Sequence, residues 1–276
     1  MSLVEKLTQF IRRHPRLVVI TGAGISAASG IPTYRDDQGK WLRSDPIKHQ
    51  EFIDSAQVRQ RYWSRSLAGW PAVRNSLPGQ GHRALVQLEQ AGYIDLLVTQ
   101  NVDRLHQRAG QRDMVDLHGR LDNVRCLDCA AEVHRELLQT QLERLNPGVS
   151  RAPGALLPDG DADVPDHVVD QFKVPACEAC GGVVMPDVVF FGGTVPRERV
   201  AQINAAITAA DAVLAVGSSL TVFSSFRFCR LAAQLGKPLA LLNRGETRAD
   251  AIAQLKISRD CDGALAQVVE GLAVAS

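Results

Sequence analysis

Two cysteine pairs, Cys126-Leu-Asp-Cys129 and Cys177-Glu-Ala-Cys180, carry the most explicit chemistry in the sequence. Each C-x-x-C knuckle presents two thiolates, and two knuckles supply the four ligands of a tetrahedral zinc site. A closed shell of four thiolates leaves no position for water, so such a metal is structural. A redox C-x-x-C or paired disulfides are the competing readings. The stretch Thr21–Asp36, T-G-A-G-I-S-A-A-S-G-I-P-T-Y-R-D, offers a different chemistry. It follows the β-branched run Leu17–Ile20, which reads as a buried strand. Gly22, Gly24 and Ala27 match the G-x-G-x-x-G/A turn that brings backbone N–H groups close to a pyrophosphate. A glycine-rich turn with no ligand fits these residues equally well. Gly30, Ile31 and Pro32 then break the helix that an ordinary dinucleotide fold would continue. The loop can therefore hold a phosphate and fold over what lies beyond it.

Polar side chains gather wherever later apolar runs stop. Ile94–Val98 reads as a strand and ends in Thr99-Gln100-Asn101-Val102-Asp103. Ligands of open α/β sheets bind beyond the carboxyl ends of strands. Gln100 and Asn101 bring donors and acceptors there, and Asp103 a charge. Capping of the next helix, Arg104–Ala109, is the plainer account. Val115-Asp116-Leu117-His118-Gly119 sets a histidine just past a short strand, where it could titrate near neutral pH and act as a general base. A structural histidine is the alternative, although no Ser or Cys in a nucleophile elbow competes for the role. The strand Ala212–Val216 ends in Gly217-Ser218-Ser219, and Leu241-Leu242 in Asn243-Arg244-Gly245. Such groups suit phosphate and ribose oxygens, or cap helices.

The elements that must position these groups follow from composition and period. At 276 residues, with 31 basic and 30 acidic side chains, the chain suits one α/β core with a smaller appendage. The charge balance points to neither nucleic acid nor an anionic membrane. No apolar run reaches the ~20 residues of a membrane span. Leu3, Val4, Leu7, Phe10 and Ile11 share one face of an N-terminal helix, so a signal or transit peptide is not expected. The expected location is the cytosol. Gly39–Gly79 reads as a helical insertion whose clearest helix, Gln50–Trp70, is stopped by Pro71. Tyr62 and Arg65 share a face of it. Asn146–Asp170 is rich in Pro, Gly and Asp and reads as a solvated loop. Its Asp159-x-Asp161-x-Asp163 hints at calcium, but Val164 stands where an EF-hand needs Gly, so a charged surface insertion is expected. Val188–Gly192 reads as an apolar strand, Ser225–Leu235 as a helix, and Cys229 as core filler. Cys261 precedes a last helix, Gly263–Leu272.

The wording G-A-G-I-S-x-x-S-G-I-P-x-Y-R-D resembles the sirtuins, the NAD-consuming protein deacylases. T-Q-N-V-D with L-H-x-x-A-G, L-H-G at His118, P-x-V-V-F-F-G, G-S-S-L and L-N follow in the family's order, along with the cysteine pairs. The resemblance runs from about Val18 to Leu272. It implies a doubly wound, Rossmann-type parallel sheet (1–36, 82–120 and 183–276) with a small domain. That domain joins the helical insertion (37–81) to a zinc ribbon carrying the acidic loop (121–182). It implies NAD as a consumed co-substrate, one structural zinc, and an acylated-lysine protein or peptide as partner. His118 would be the catalytic base, accepting a proton from a ribose hydroxyl. The NAD contacts would be Gly22, Ala23, Gly24, Ser26, Ile31, Tyr34 and Arg35 from the first motif. Gln100, Asn101, Val102 and Asp103 would sit at the nicotinamide end, and Gly217, Ser218, Ser219, Asn243, Arg244, Gly245 and Cys261 toward adenosine. Val189, Phe190 and Gly192 would line the acyl-lysine channel with Tyr62 and Arg65. Nicotinamide and O-acyl-ADP-ribose would be products. R-Y-W-x-R with G-W-P at Gly69–Pro71 looks like the class II branch, whose members tend to be feeble deacetylases; its bacterial relatives and mitochondrial members imply a bacterial cytoplasmic location, with the mitochondrial matrix as the alternative. The Tyr-x-x-Arg spacing, shared with sirtuins that remove dicarboxylic acyl groups, suggests carboxylated acyl groups, with longer neutral chains as the other reading. Protein ADP-ribosyl transfer, an NAD(P) oxidoreductase and a non-catalytic NAD-binding module are the other readings. The oxidoreductase lacks its acidic ribose residue after a second strand.

Overall fold

The computed structural model describes residues 1–34, 46–147, 149 and 155–273. Arg35, assigned above to NAD, lies outside them. The chain opens with α1 (Leu3–Arg13), started by a capping box in which Ser2 and Glu5 each accept the other's backbone N–H. Strand β1 (Leu17–Thr21) leads into two single 3-10 turns, Ala23–Ile25 and Ala27–Ser29, so the helix does break where expected. Helices α2 (His49–Asp54), α3 (Ala56–Asn75) and α4 (Gln80–Gln90) precede β2 (Ile94–Thr99). Helix α5 (Leu105–Ala109), β3 (Met114–Asp116), β4 (Gly119–Cys126), β5 (Glu132–His134) and α6 (Arg135–Leu145) follow. Then come β6 (Leu156–Leu157), β7 (Asp161–Ala162), α7 (Asp166–Asp170) and β8 (Val184–Val188). The chain closes with α8 (Arg197–Ala209), β9 (Ala212–Val216), α9 (Phe223–Gln234), β10 (Leu239–Leu242), β11 (Leu255–Ile257) and α10 (Cys261–Ala273).

Six parallel strands in the order β11-β10-β9-β1-β2-β3 form the main sheet. The chain leaves β1 toward β2 and β3, then returns to β9 on β1's other side. That reversal opens a crevice at the carboxyl ends of the strands, where such folds bind ligands. Alternation along the strands divides the core into two layers. Leu17, Val19, Leu97 and Leu214 pack with Leu7, Leu85 and Leu265 from α1, α4 and α10. Val18, Ile20, Val98 and Val213 pack with Ile203 and Phe228 from α8 and α9, and Cys229 fills this layer as expected. This is the doubly wound architecture. Among the described residues, no helix is long and apolar enough to cross a membrane.

A three-stranded antiparallel sheet, β5-β4-β8, forms the second layer with α3 and α6. The strand expected at Val188–Gly192 lies earlier, at Val184–Val188, and pairs with β4 of the cysteine-bearing module. The expected helix Gln50–Trp70 is two helices. Ser55 ends the first, and its hydroxyl caps α3 by accepting from the Val58 amide. Pro71 does not stop α3, which runs on to Asn75. A proline leaves the carbonyl four residues back without its partner. Here Gln139 of α6 donates to Leu67 O at 3.1 Å, so a tertiary bond replaces the missing one.

Candidate active site

The carboxyl ends of β1, β2 and β9 are level, with Thr21 opposite Thr99 on one side and Val216 on the other. This brings the three strand-end motifs into contact. The Gly24 amide donates to Gly217 O at 2.8 Å, and a Cβ on Gly24 would lie 2.8 Å from that oxygen. The two loops are thus pressed backbone to backbone, and only glycine permits it. Gln100 Nε2 donates to Ser218 Oγ at 2.8 Å and to Thr21 O at 3.1 Å, tying the second motif to both others.

A cavity of about 950 Å³ opens above these loops and extends to the small domain. Its wall includes Gly22, Ala23, Gly24, Gln100, Asn101 and Val102 from the first two motifs. Gly217, Ser218 and Ser219 join them, with Asn243, Arg244, Gly245 and Cys261 at the far end. Tyr34, Tyr62, Arg65, Val189, Phe190 and Gly192 line the side facing the small domain. Three assigned residues stand behind the wall. Ile31 is buried in a cluster with Trp70, Val73 and Leu105. Asp103, also buried, accepts from Ser26 Oγ at 2.7 Å and from the Leu105 amide at 2.9 Å. Ser26 Oγ in turn accepts from Asn101 Nδ2 at 3.0 Å and lies 3.4 Å from His82 Nε2. His82 Nδ1 accepts the Gly79 amide at 3.1 Å, so its Nε2 carries the proton and points at Ser26. Sequence reading missed His82, which has no motif of its own.

His118 lies on the cavity wall just after β3. Its Nδ1 is 3.1 Å from Gln100 O, a carbonyl that can only accept. Nδ1 therefore bears the hydrogen, and Nε2 keeps a free electron pair as the basic atom. Burial holds the imidazole down at about 4, well under its ordinary value, with opposing charge from Arg199 and Arg227. The expected titration near neutral pH is thus corrected: His118 is neutral at pH 7 and ready to take a proton. Its Nε2 is 2.8 Å from Ser224 Oγ on the first turn of α9. The helix was expected to begin at Ser225, which left Ser224 unnoticed.

The acidic stretch keeps Asp159, Asp163 and Asp170 exposed, as a surface insertion would, but its tip is not a free loop. Strands β6 and β7 pair as a short hairpin that packs on α3, and Asp159 and Asp161 line the cavity. A Cβ on Gly69 of α3 would come within 2.4 Å of Gly160 O, so the helix is notched to receive the hairpin tip. The Tyr34 hydroxyl donates to Asp159. Arg65 grips Asp161 with both arms of its fork, Nε to Oδ1 and Nη2 to Oδ2, at 2.7 Å each.

The four cysteines converge outside this cavity. Their Sγ atoms all lie within 4.8 Å of one another, with Cys126–Cys180 at 3.5 Å and Cys129–Cys177 at 3.8 Å. Thiolates about 2.3 Å from one zinc at tetrahedral angles would be about 3.8 Å apart. The donor set and spacing fit a structural zinc, and none of the six cysteines is in a disulfide.

Comparison with known proteins accords with this architecture. The Sir2 family pattern matches residues 22–224. An NAD-dependent protein deacetylase of Xanthomonas campestris is 54% identical over 260 residues, 94% of this chain and 89% of the relative. One from Bordetella bronchiseptica is 52% identical over 269 residues, 98% of each chain. The NAD-dependent protein deacylase Sirt4 of Drosophila melanogaster is 43% identical over 261 residues, 94% of this chain and 84% of that one. Among solved structures, a Sir2–p53 peptide–NAD+ complex superposes with a TM-score of 0.79 at 27% identity, covering 99% of this chain and 100% of that one. With the family pattern spanning most of the chain and half-identical relatives covering nearly all of it, this protein belongs to the Sir2 family.

Proposed function

We propose that the protein is an NAD-dependent protein lysine deacylase that yields nicotinamide and O-acyl-ADP-ribose. The observation that carries this reading is His118. It is half-buried and neutral, its tautomer is set by Gln100 O, and it shares one cavity with the glycine loops. The names of its relatives, deacetylases and a deacylase, support the same activity. NAD, consumed as co-substrate, supplies the ADP-ribose that takes up the acyl group. The cavity volume and the backbone-lined floor at Gly22–Gly24 and Gly217–Ser219 fit a dinucleotide. The main-sheet layer is the NAD-binding domain, and the helical insertion with its cysteine module the small one. Asn243, Arg244, Gly245 and Cys261 would hold the adenosine half, and Asn101 the nicotinamide half, with Asp103 behind the wall and linked to Asn101 through Ser26. Ser26, itself met by His82, donates to Asp103 and fixes the position of its charge. Phe190 and Val189 line the channel for an acyl-lysine side chain.

The acyl group this channel favours is long or carboxylated. Arg65 projects a planar fork into it, the geometry that pairs with carboxylates. That fork holds Asp161, so a carboxylated chain must exchange for it. The test is incubation with NAD and acetyl-, long-chain- and glutaryl-type lysine peptides, following nicotinamide and free lysine peptide by mass spectrometry. Turnover that His118→Ala abolishes, roughly 10²–10⁴-fold or more, is expected. NAD hydrolysis with no peptide product would overturn the deacylase reading.

A further inference from the structure

His118 Nε2, the atom that must receive a proton, already has a partner. The Nδ1 hydrogen is committed to Gln100 O, so at the 2.8 Å contact with Ser224 the serine hydroxyl has to be the donor. That fixes the hydroxyl hydrogen on His118 and leaves the two lone pairs of Ser224 Oγ for another donor. Ser224 and His118 line the same cavity, so a hydroxyl approaching the base also meets Ser224.

The serine is held there firmly. It is the second residue of α9, whose first turn is closed by the Ser225 and Phe226 amides donating to Val222 O. The preceding loop is anchored by Arg248, which donates from Nη1 to Thr221 O at 3.0 Å and from its amide to Ser219 O at 2.9 Å. Ser218 Oγ also accepts the Leu220 amide, with Leu220 in a left-handed conformation at φ 54°. The turn that carries Ser224 is therefore braced from both sides.

We infer that Ser224 is a positioning and proton-carrying residue for His118, passing its own hydrogen to Nε2 as it takes one from a hydroxyl of the bound substrate. The step balances. The substrate O–H bond breaks and its oxygen keeps the electron pair for the new bond to the acyl carbon. Ser224 Oγ gains that proton, and the former Ser224 proton forms the Nε2–H bond. Ser224 ends unchanged, and the resulting imidazolium keeps its Nδ1–H bond to Gln100 O. This assignment rests on the deacylase reading for its substrate but not for the serine–histidine contact itself.

Two measurements test it. The first needs no NAD: ¹⁵N-labelled histidine resonances of His118 are titrated in wild type, Ser224→Ala and Ser224→Thr. A hydroxyl donating to Nε2 favours the neutral ring, so the alanine variant should titrate about half to one unit higher, with loss of the hydrogen-bonded Nε2 shift. The threonine variant should resemble wild type. Arg199 and Arg227, whose charges oppose the imidazolium, are the same in all three proteins. The second is acyl-peptide turnover, where Ser224→Ala should lower kcat roughly tenfold or more and leave the KM for NAD nearly unchanged, with Thr restoring the rate. Unaltered His118 resonances in the alanine variant would overturn the inference. So would turnover equal to or faster than wild type, since the hydroxyl would then only compete for the base. If wild type turns over no acyl peptide, the deacylase reading fails while the resonances still judge the serine.

Discussion

Replacing Asp161 with asparagine is the most direct way to learn what Arg65 does. Both arms of the Arg65 fork contact Asp161 at 2.7 Å. A carboxylated acyl chain gains Arg65 only by exchanging one carboxylate for another, so its advantage is a difference between two similar pairs. The ion pair is partly open to water, with side chains 23% and 37% accessible. Screened pairs of this kind are worth about 0–1 kcal/mol. The wild-type preference for carboxylated over neutral chains should then be no more than about fivefold in kcat/KM. Asp161→Asn keeps the side-chain shape but removes the competing charge. The freed guanidinium can offer an incoming carboxylate a charge-assisted pair of about 1.5–3 kcal/mol, reduced to about 1–2 by partial exposure. That corresponds to a rise of about five- to thirtyfold in kcat/KM for glutaryl-type peptides, with acetyl peptide nearly unmoved. Arg65→Met in either background should flatten the preference. The assay is initial-rate kinetics on acetyl-, neutral long-chain- and carboxylated-lysine peptides at saturating NAD. An equal rise for all three acyl groups would show that Asp161 merely narrows the channel. A selective fall for carboxylated chains would refute the exchange altogether.

Three further outcomes can be checked separately. Burial holds His118 at about 4 against an ordinary value of about 6.5, so the unfolded chain takes the proton first. Its contribution to stability is whole above about pH 6.5 and lost as pH falls toward 4; the urea stability gap between wild type and His118→Gln should therefore narrow from pH 7 to pH 5, and a constant gap would count against it. Cys177→Ala should release the metal and lower the melting temperature, because bound zinc contributes folding free energy directly; equal zinc content by elemental analysis in both proteins would show that the four-thiolate site is wrong. In an ordinary helix, Gly69→Ala would stabilise by roughly 0.5–1 kcal/mol. Against Gly160 O at 2.4 Å it should instead destabilise by about 1–3 kcal/mol, and a higher melting temperature would mean the hairpin is not seated on α3.

Much of the architecture was legible in the sequence. Apolar runs such as Val18–Ile20 and Val213–Ala215 carry strand period and composition locally, and the motifs that end them fall at strand ends because ligands of this fold bind there. The cysteine spacing by itself named a four-thiolate site, since ligand type and knuckle spacing are properties of a few adjacent residues. Gly24 was legible as a glycine that something must approach, although not as the neighbour of Gly217.

What only the tertiary structure decided lies in contacts between distant residues. Arg65 and Asp161 are 96 positions apart, and His118 and Ser224 are 106 apart. An acidic run with turn residues reads as solvated because local pattern cannot show a notch at Gly69 waiting for its tip. Pro71 reads as a helix stop because the replacement donor, Gln139, comes from another helix. His118 reads as a near-neutral titrant because its burial and its two partners arise only when β3 and α9 meet at the crevice. Backbone sterics and hydrophobic period act over a few residues, and they chose the elements. Desolvation and charge pairing act through space, so the protonation state of His118 and the occupancy of the Arg65 fork were settled only when those elements packed together.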